Sequence, residues 1–469
     1  MTVIGFLSIL VLALSSLANP VVIKRSPVTL ALSRKVNLTS VHNLVDHDRA
    51  RAHALKAGSL SGEATRRAVI PEVITNQAVA YVASVDVGNP PTTYQLLVDT
   101  GRYNGIFDRL YQQWVLIAFM RKAPTHGSVQ INLIPRQAQA MKQMIGLRYI
   151  SYFEHVLIDA VFDIAQSVSY GSGFFSGEGV SCFRVINTEN TYSSLFPGNE
   201  YIDRLSLGLG LDIPQQSIGV ATFSRGLKGL DGLLGIGPTD LTVGTLSPDT
   251  ATSVPTVTDN LFNQGAISEY SIGISFVPTV VNNVPNGEIT WGGTDLLKYL
   301  FPITYIPITK TFPASRFFGI DQSIRYGDST IIQSTTAGIV DTGSTLILLA
   351  TDAYQNYQAA TGSTVDSATG LLTIPASRFA SLQSLFFETG GDTFELIPNA
   401  QIWPRALNAE IGGVAGTIYL VIGDLKSPSG EGFDFINGLT FLERFYSVYD
   451  SGNSRVGLAN TVWTDAIVN

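Results

Sequence analysis

One short pattern occurs twice, far apart in the chain. Leu97-Val98-Asp99-Thr100-Gly101 recurs as Ile339-Val340-Asp341-Thr342-Gly343. Each copy is an apolar run that ends in an acidic turn. Downstream of the first lies Asp231-Gly232-Leu233-Leu234-Gly235-Ile236-Gly237, and downstream of the second Asp434-Phe435-Ile436-Asn437-Gly438. Each half therefore reads strand, Asp-Thr-Gly turn, further strands, apolar-Gly turn. A chain that repeats such a unit once is expected to fold as two related lobes with a cleft between them. The boundary is placed at residues 268 and 269.

Composition agrees with an all-β fold of that size. The chain has 469 residues, 45% hydrophobic and only 14% charged, with 44 glycines. That is enough apolar material for two cores. The β-rich run from Ala78 to Val87 ends at Gly88-Asn89-Pro90-Pro91, a turn, and a second strand is expected from Tyr94 to Val98. Helical patterns are few, the best being Thr258 to Gln264 and Asp352 to Thr361. Cys182 is the only cysteine, so no internal disulfide can form.

The N-terminus has a different character. Val3 to Ala18 is an apolar run, short for a membrane span, that closes on the small-x-small pattern Ser16-Leu17-Ala18. Residues 1–18 read as a signal peptide, which predicts a secreted, extracellular protein. Residues 19–67 carry nine Lys or Arg against three Asp or Glu, whereas the body is acidic. The secreted setting makes nucleic acid an unsuitable partner for this basic leader. A prosegment lying over an acidic cleft fits better, held by Coulomb attraction and released when carboxylates take up protons. Arg66-Arg67 is the expected processing point, and the sequon Asn37-Leu38-Thr39 lies in the leader. No membrane association is expected of the mature chain, and a monomer is the simplest reading.

A single Asp-Thr-Gly is ordinary turn chemistry. Two copies suggest a shared site. Two carboxylates a few ångströms apart cannot both ionise, so they share one proton. The ionised member can then take a proton from water while the protonated member donates to a peptide carbonyl. The candidate catalytic pair is Asp99 and Asp341. Gly101 and Gly343 permit tight turns that bring backbone amides to the carboxylates. The Thr100 and Thr342 hydroxyls can lock the two turns together. Such a site needs no metal and no cofactor.

On these motifs the chain resembles the pepsin-like aspartic endopeptidases, most closely the fungal secreted type. The resemblance covers residues 68–101, 167–178 and 200–469, and Val340 to Thr345 match the family motif in full. It implies a two-lobed β fold and hydrolysis of protein and peptide substrates at acid pH. It also implies that Ser344 bonds the outer oxygen of Asp341. Ser167 to Gly173 looks like the family's flap, with Tyr170 as flap tyrosine on a hairpin through Gly171 and Gly173. Read from the residues alone, that stretch is a hairpin tip.

Three features depart from the pattern. Arg102 stands where the family has a small hydroxyl residue, and Asn437 stands where it has an apolar one. Residues 102–166 hold three of the four methionines and the only histidines beyond the leader, His126 and His155; residues 179–199 hold Cys182. Asp99 to Gly235 spans 136 residues and Asp341 to Gly438 spans 97. Removing both odd stretches leaves too little for a lobe, so 102–166 is expected to replace native sequence, and the strand that normally follows the first Asp-Thr-Gly is not apparent there. These departures keep a second reading alive, a non-catalytic homologue that binds peptides without cleaving them, and a third in which the first lobe is unstable. Serine, cysteine and zinc peptidases are excluded, since no histidine lies beyond residue 155 and no His-Glu-x-x-His occurs.

Overall fold

The computed structural model describes residues 26–36, 44–60, 79–101, 106–107, 184–185, 198–221, 230–243, 245–246 and 251–469. The signal peptide, the sequon, Arg66-Arg67, Arg102 and Cys182 lie outside them. The leader supplies strand β1 (Val28–Val36) and helix α1 (Leu44–Leu60). The first half of the body gives β2 (Val79–Val87), β3 (Thr92–Asp99), β4 (Ile106–Phe107), β5 (Arg184–Val185), β6 (Gly198–Ser206), β7 (Asp212–Ala221), β8 (Gly232–Gly235) and helix α2 (Val257–Asn263). The second half opens with β9 (Ser271–Phe276), β10 (Val284–Trp291), β11 (Thr304–Pro307), β12 (Gly319–Tyr326), β13 (Thr330–Val340) and β14 (Ile347–Leu349). Helix α3 (Thr351–Thr361) leads to a small hairpin layer. The chain closes through β15 (Ile422–Asp424), β16 (Phe435–Asn437), a short helix α4 (Leu439–Leu442), β17 (Phe445–Asp450) and β18 (Arg455–Asn460). The two expected helices, at 258–264 and 352–361, form within a residue of those bounds.

The described residues form mostly β structure built on two large sheets, as the all-β reading expected. One thirteen-stranded sheet runs through the molecule in the order β11-β18-β17-β9-β10-β1-β2-β3-β8-β4-β7-β6-β5. A seven-stranded sheet in the second half contains the run β12-β13-β16-β14-β15. Strands β9 and β17 are buried along their whole length. That burial is carried by apolar side chains, Ile272, Ile274 and Phe276 in β9 and Phe445 and Val448 in β17. The apolar side chains of both halves join in one continuous core that includes Leu96, Val98, Ile274, Trp291, Ile339 and Ile436.

The leader departs from expectation in how it is held. Surface attraction predicted a segment lying over a cleft. Instead β1 is an internal strand, antiparallel to β10 on one side (Leu30 opposite Ile289) and to β2 on the other (Arg34 opposite Tyr81). Its backbone groups are spent in two ladders, so the leader is part of the sheet. Arg34 is buried and ion-paired to Glu443 at 3.2 Å, and the Tyr81 hydroxyl donates to the same carboxylate at 3.1 Å.

The first Asp-Thr-Gly turn also runs on further than the sequence suggested. β4 is the strand thought missing from residues 102–166. It pairs antiparallel with β8, Ile106 opposite Leu233, and parallel with β7, Ile106 opposite Gly219. Two residues are too few to show any alternation, so periodicity could not reveal it.

Candidate active site

The two acidic turns stand at the ends of equivalent strands. β3 lies parallel to β8, with Asp99 opposite Gly235. β13 lies parallel to β16, with Val340 opposite Asn437, so Asp341 comes opposite Gly438. Each carboxylate therefore emerges where a strand ends against an apolar-Gly strand. The sheet fixes both backbones, and the carboxylates need no further support from loops.

The turns interlock through their threonines. The Thr100 amide donates to Thr342 Oγ1 at 3.0 Å, and the Thr342 amide donates to Thr100 Oγ1 at 2.9 Å. Thr342 Oγ1 donates onward to the Val98 carbonyl at 3.0 Å, and Thr100 Oγ1 reaches the Val340 carbonyl at 3.4 Å. Both threonines are buried, so every one of these polar atoms needs its partner. The expected lock is present and is reciprocal.

Each glycine amide meets its own turn's carboxylate. Gly101 N donates to Asp99 Oδ1 at 2.9 Å and Gly343 N to Asp341 Oδ1 at 3.2 Å. The close approach also explains why neither position can carry a side chain. A Cβ on Gly101 would stand 2.8 Å from Asp341 Oδ1, and one on Gly343 would stand 2.9 Å from Asp99 Oδ1. Each glycine thus faces the opposite carboxylate. Ser344 Oγ donates to Asp341 Oδ2 at 2.6 Å, as the resemblance implied. Tyr170, Gly171 and Gly173 of the expected flap lie outside the described residues.

Asp99 and Asp341 are both fully buried, and one cation lies between them. Arg51, from the middle of α1, donates Nη1 and Nη2 to Asp99 at 2.9 and 2.6 Å. Its Nε and Nη2 donate to Asp341, each at 2.9 Å. A planar guanidinium suits this task, because its fork can meet two carboxylates edge-on at once. Burial disfavours the charged form of Arg51, but the two carboxylates outweigh it and hold the guanidinium protonated. Burial likewise pushes the Asp341 carboxyl up; the Arg51 charge, with hydrogen bonds from Arg51, Ser344 and Gly343, outweighs that and holds it below its ordinary range.

Further anchors hold α1 over the site. Asp48 is buried and its Oδ2 accepts from the Thr345 and Leu346 amides at 2.9 and 2.6 Å. Arg49 Nε donates to the Asp424 carbonyl at 2.9 Å, and His53 Nε2 lies 2.7 Å from the Leu425 carbonyl. Leu44, Val45, Asp48, Arg51, Ala52 and Leu55 form the buried stripe, at helical spacing. Sequence reasoning missed Arg51 and Asp48 individually, although it placed the leader at the cleft. The signal was present in that stripe, where two charged residues occupy positions that periodicity assigns to the apolar face.

A family model for eukaryotic aspartyl protease matches residues 191–461. Polyporopepsin of Irpex lacteus is 50% identical over 395 residues, which is 84% of this chain and 98% of that one. Human cathepsin D is 26% identical over 460 residues, covering 96% of this chain and 98% of its own. The crystal structure of aspartic proteinase from Irpex lacteus superposes with a TM-score of 0.65 at 48% identity, covering 83% of this chain and 96% of that one. Taken with the paired acidic turns, these likenesses place the chain in the eukaryotic aspartyl protease family, as an aspartic-type endopeptidase of the pepsin-like kind.

Proposed function

We propose that this chain is the secreted zymogen of an acid endopeptidase whose catalytic pair is Asp99 and Asp341, held inactive by Arg51. The observation that carries the reading is the symmetric clamp. One guanidinium donates to two buried carboxylates at once, at the position where a water and a scissile peptide would have to sit. Once the helix leaves, the carboxylates lose their cation and must share a proton. The pair as a whole then titrates, and neither residue owns the apparent values. The ionised member takes a proton from the bridging water, and the neutral member donates to the peptide carbonyl oxygen. The expected product is a cleaved protein or peptide chain, with no covalent intermediate.

Acid is the natural release signal, and its sign follows from Asp341. A carboxylate whose folded value is depressed contributes stability above its unfolded value near 3.9 and loses it as pH falls through the folded value. The Arg51–Asp341 contact is therefore fully present at neutral pH and fails in acid. The apolar run Val3 to Ala18 supports secretion. Among the described residues no helix is long and apolar enough to cross a membrane.

The test is cleavage of an acid-denatured protein substrate by the full chain, followed after a shift from pH 7 to about pH 3.5. Cleavage is expected after a lag, and Arg51→Ala should shorten that lag. An Asp341→Asn chain that cleaves as fast as the parent would refute the assignment of the pair.

A further inference from the structure

The turn that follows β10 carries apolar side chains that the core does not use. Leu296, Leu297, Leu300 and Phe301 are 65%, 91%, 50% and 77% exposed. The backbone beneath them is fixed. The Leu297 amide donates to Asp295 Oδ1 at 2.9 Å, the Lys298 amide to the Asp295 carbonyl at 3.1 Å, and the Leu300 amide to the Asn460 carbonyl at 2.6 Å. The Asp295 amide donates to the Tyr446 hydroxyl at 3.1 Å. Tyr299 is buried in the same turn, its ring centroid 5.6 Å from that of Phe301. A well-bonded turn thus presents four large apolar side chains to the outside. Such clustering on a surface marks a contact.

The leader enters the structure at the edge of this surface. Ser26 is its first described residue, and β1 starts at Val28, opposite Trp291. A Cβ on Gly293 would stand 3.1 Å from Pro27 Cγ and 3.5 Å from Glu269 Oε2. Just upstream the sequence reads Val21-Val22-Ile23-Lys24-Arg25. We propose that Val21-Val22-Ile23 covers the apolar side chains of residues 296–301, with Lys24 and Arg25 set against Glu269 and Asp295. This segment is then a third anchor of the leader, beside β1 and Arg51. The reach suffices. An extended chain spans about 3.3–3.6 Å per residue, so Val22 extends up to about 17 Å from Pro27, and Leu297 lies at most about 14 Å from Gly293. The order of the chemistry also matches. Next to Pro27 comes a basic pair, and next to Gly293 come Glu269 and Asp295. Beyond the charges, each side turns apolar. Loss of the leader uncovers this surface, so the full chain hides a face that the shortened one exposes. The inference concerns the leader and holds whether or not Asp99 and Asp341 cleave peptides.

The test reads the rate at which a maleimide labels Leu297→Cys in the secreted full chain at neutral pH, with Cys182→Ser to remove the native thiol. Two leaders are compared, the parent and one carrying Val21→Ser, Val22→Ser and Ile23→Ser. Labelling is expected to be at least about tenfold slower with the parent leader, because burying even one apolar side chain favours the covered state by that factor. Val414→Cys, 67% exposed on another turn, should label alike with both leaders and controls for a general change in reactivity. Lys24→Glu with Arg25→Glu should relieve part of the protection, and less of it in high salt. Equally fast labelling of Leu297→Cys with both leaders would overturn the proposal. So would slow labelling that the serine leader leaves unchanged. Relief on dilution would then assign the surface to a second copy of the chain, and no relief would assign it to another segment.

Discussion

The two Asp-Thr-Gly regions can be compared strand by strand, because their pairings follow the same rule. In the first half β3 runs parallel to β8, β8 antiparallel to β4, and β4 parallel to β7. In the second, β13 runs parallel to β16, β16 antiparallel to β14, and β14 parallel to β15. Ile106 follows Asp99 by seven residues and lies opposite Leu233 and Gly219. Leu348 follows Asp341 by seven residues and lies opposite Ile436 and Gly423. Leu233 and Ile436 each stand two residues before the glycine that faces the carboxylate. The repeat is therefore in register through Phe107, six residues past Gly101. The difference between the halves lies in what decorates that register. The second turn adds Ser344 Oγ to its carboxylate, whereas the sequence puts Arg102 at the corresponding place. The backbone frame is shared, and the chemistry around each carboxylate is tuned separately.

The strongest way to break this comparison is to remove one carboxylate at a time. Asp99→Asn and Asp341→Asn should each abolish cleavage, lowering kcat by at least the 10²–10⁴-fold typical of lost acid–base catalysis. Equal losses would mean that the pair works as a unit. A variant with substantial residual activity in one half only would show that the symmetry is confined to the backbone. The measurement is the initial rate on a denatured protein substrate after acid activation.

The threonine lock gives the next largest effect, on stability. Thr100→Val and Thr342→Val each strand a buried amide from the opposite turn, at a cost of about 1–3 kcal/mol. Thr342 should be the costlier loss. Its hydroxyl donates to Val98 O at 3.0 Å, while Thr100 Oγ1 meets Val340 O at 3.4 Å. Urea denaturation midpoints at neutral pH would rank them. The double variant should cost less than the sum, because each hydroxyl serves the other turn.

How much of this was legible in the sequence follows from the period of each signal. The duplicated Asp-Thr-Gly and the apolar-Gly turns are local and identical in kind, so the lobes, the pair and the threonine lock could be read directly. The helices at 258–264 and 352–361 were legible from spacing. β4 was not, since two residues carry no period and its partners lie more than a hundred positions away. The insertion of β1 between β2 and β10 was equally hidden, because a strand's neighbours are set by tertiary pairing and not by its own composition. Arg51 was half legible: its place on the apolar stripe of α1 marked it for burial, but the carboxylates it meets lie 48 and 290 positions away.

Ser344→Ala sharpens the chemical side of the comparison. Ser344 donates to Asp341 and helps hold that carboxyl below its ordinary range, behind the larger effects of burial and Arg51. Losing the hydroxyl raises the folded value toward the unfolded one. The clamp then fails at a higher pH as the solution is acidified, and activation should begin nearer neutrality. The pH at half-maximal activation rate, measured for parent and variant, gives the sign directly. An unchanged or lower midpoint would mean that Ser344 does not tune the pair in the zymogen.

The last comparison concerns the strands behind the turns. Asn437 stands where Leu234 stands in the first half, one residue before the glycine that faces the carboxylate. It was the one departure within the second lobe's motif, and the structure supplies its reason. Asn437 is fully buried, and its Nδ2 donates to Gln322 Oε1 at 2.9 Å, while Gln322 Nε2 lies 3.5 Å from Asn437 Oδ1. Gln322 is also fully buried, on β12 next to β13. The second half thus replaces an apolar contact behind its Asp-Thr-Gly strand by a matched amide pair. Asn437→Leu would restore the first half's residue but leave the Gln322 amide unsatisfied, costing about 1–3 kcal/mol. Gln322→Leu alone should cost a similar amount, and the double change should recover most of the loss, because two apolar groups of similar size need no partner. A double variant as unstable as either single one would show that the amides do more than satisfy each other, and that the two halves differ in packing as well as in hydrogen bonding.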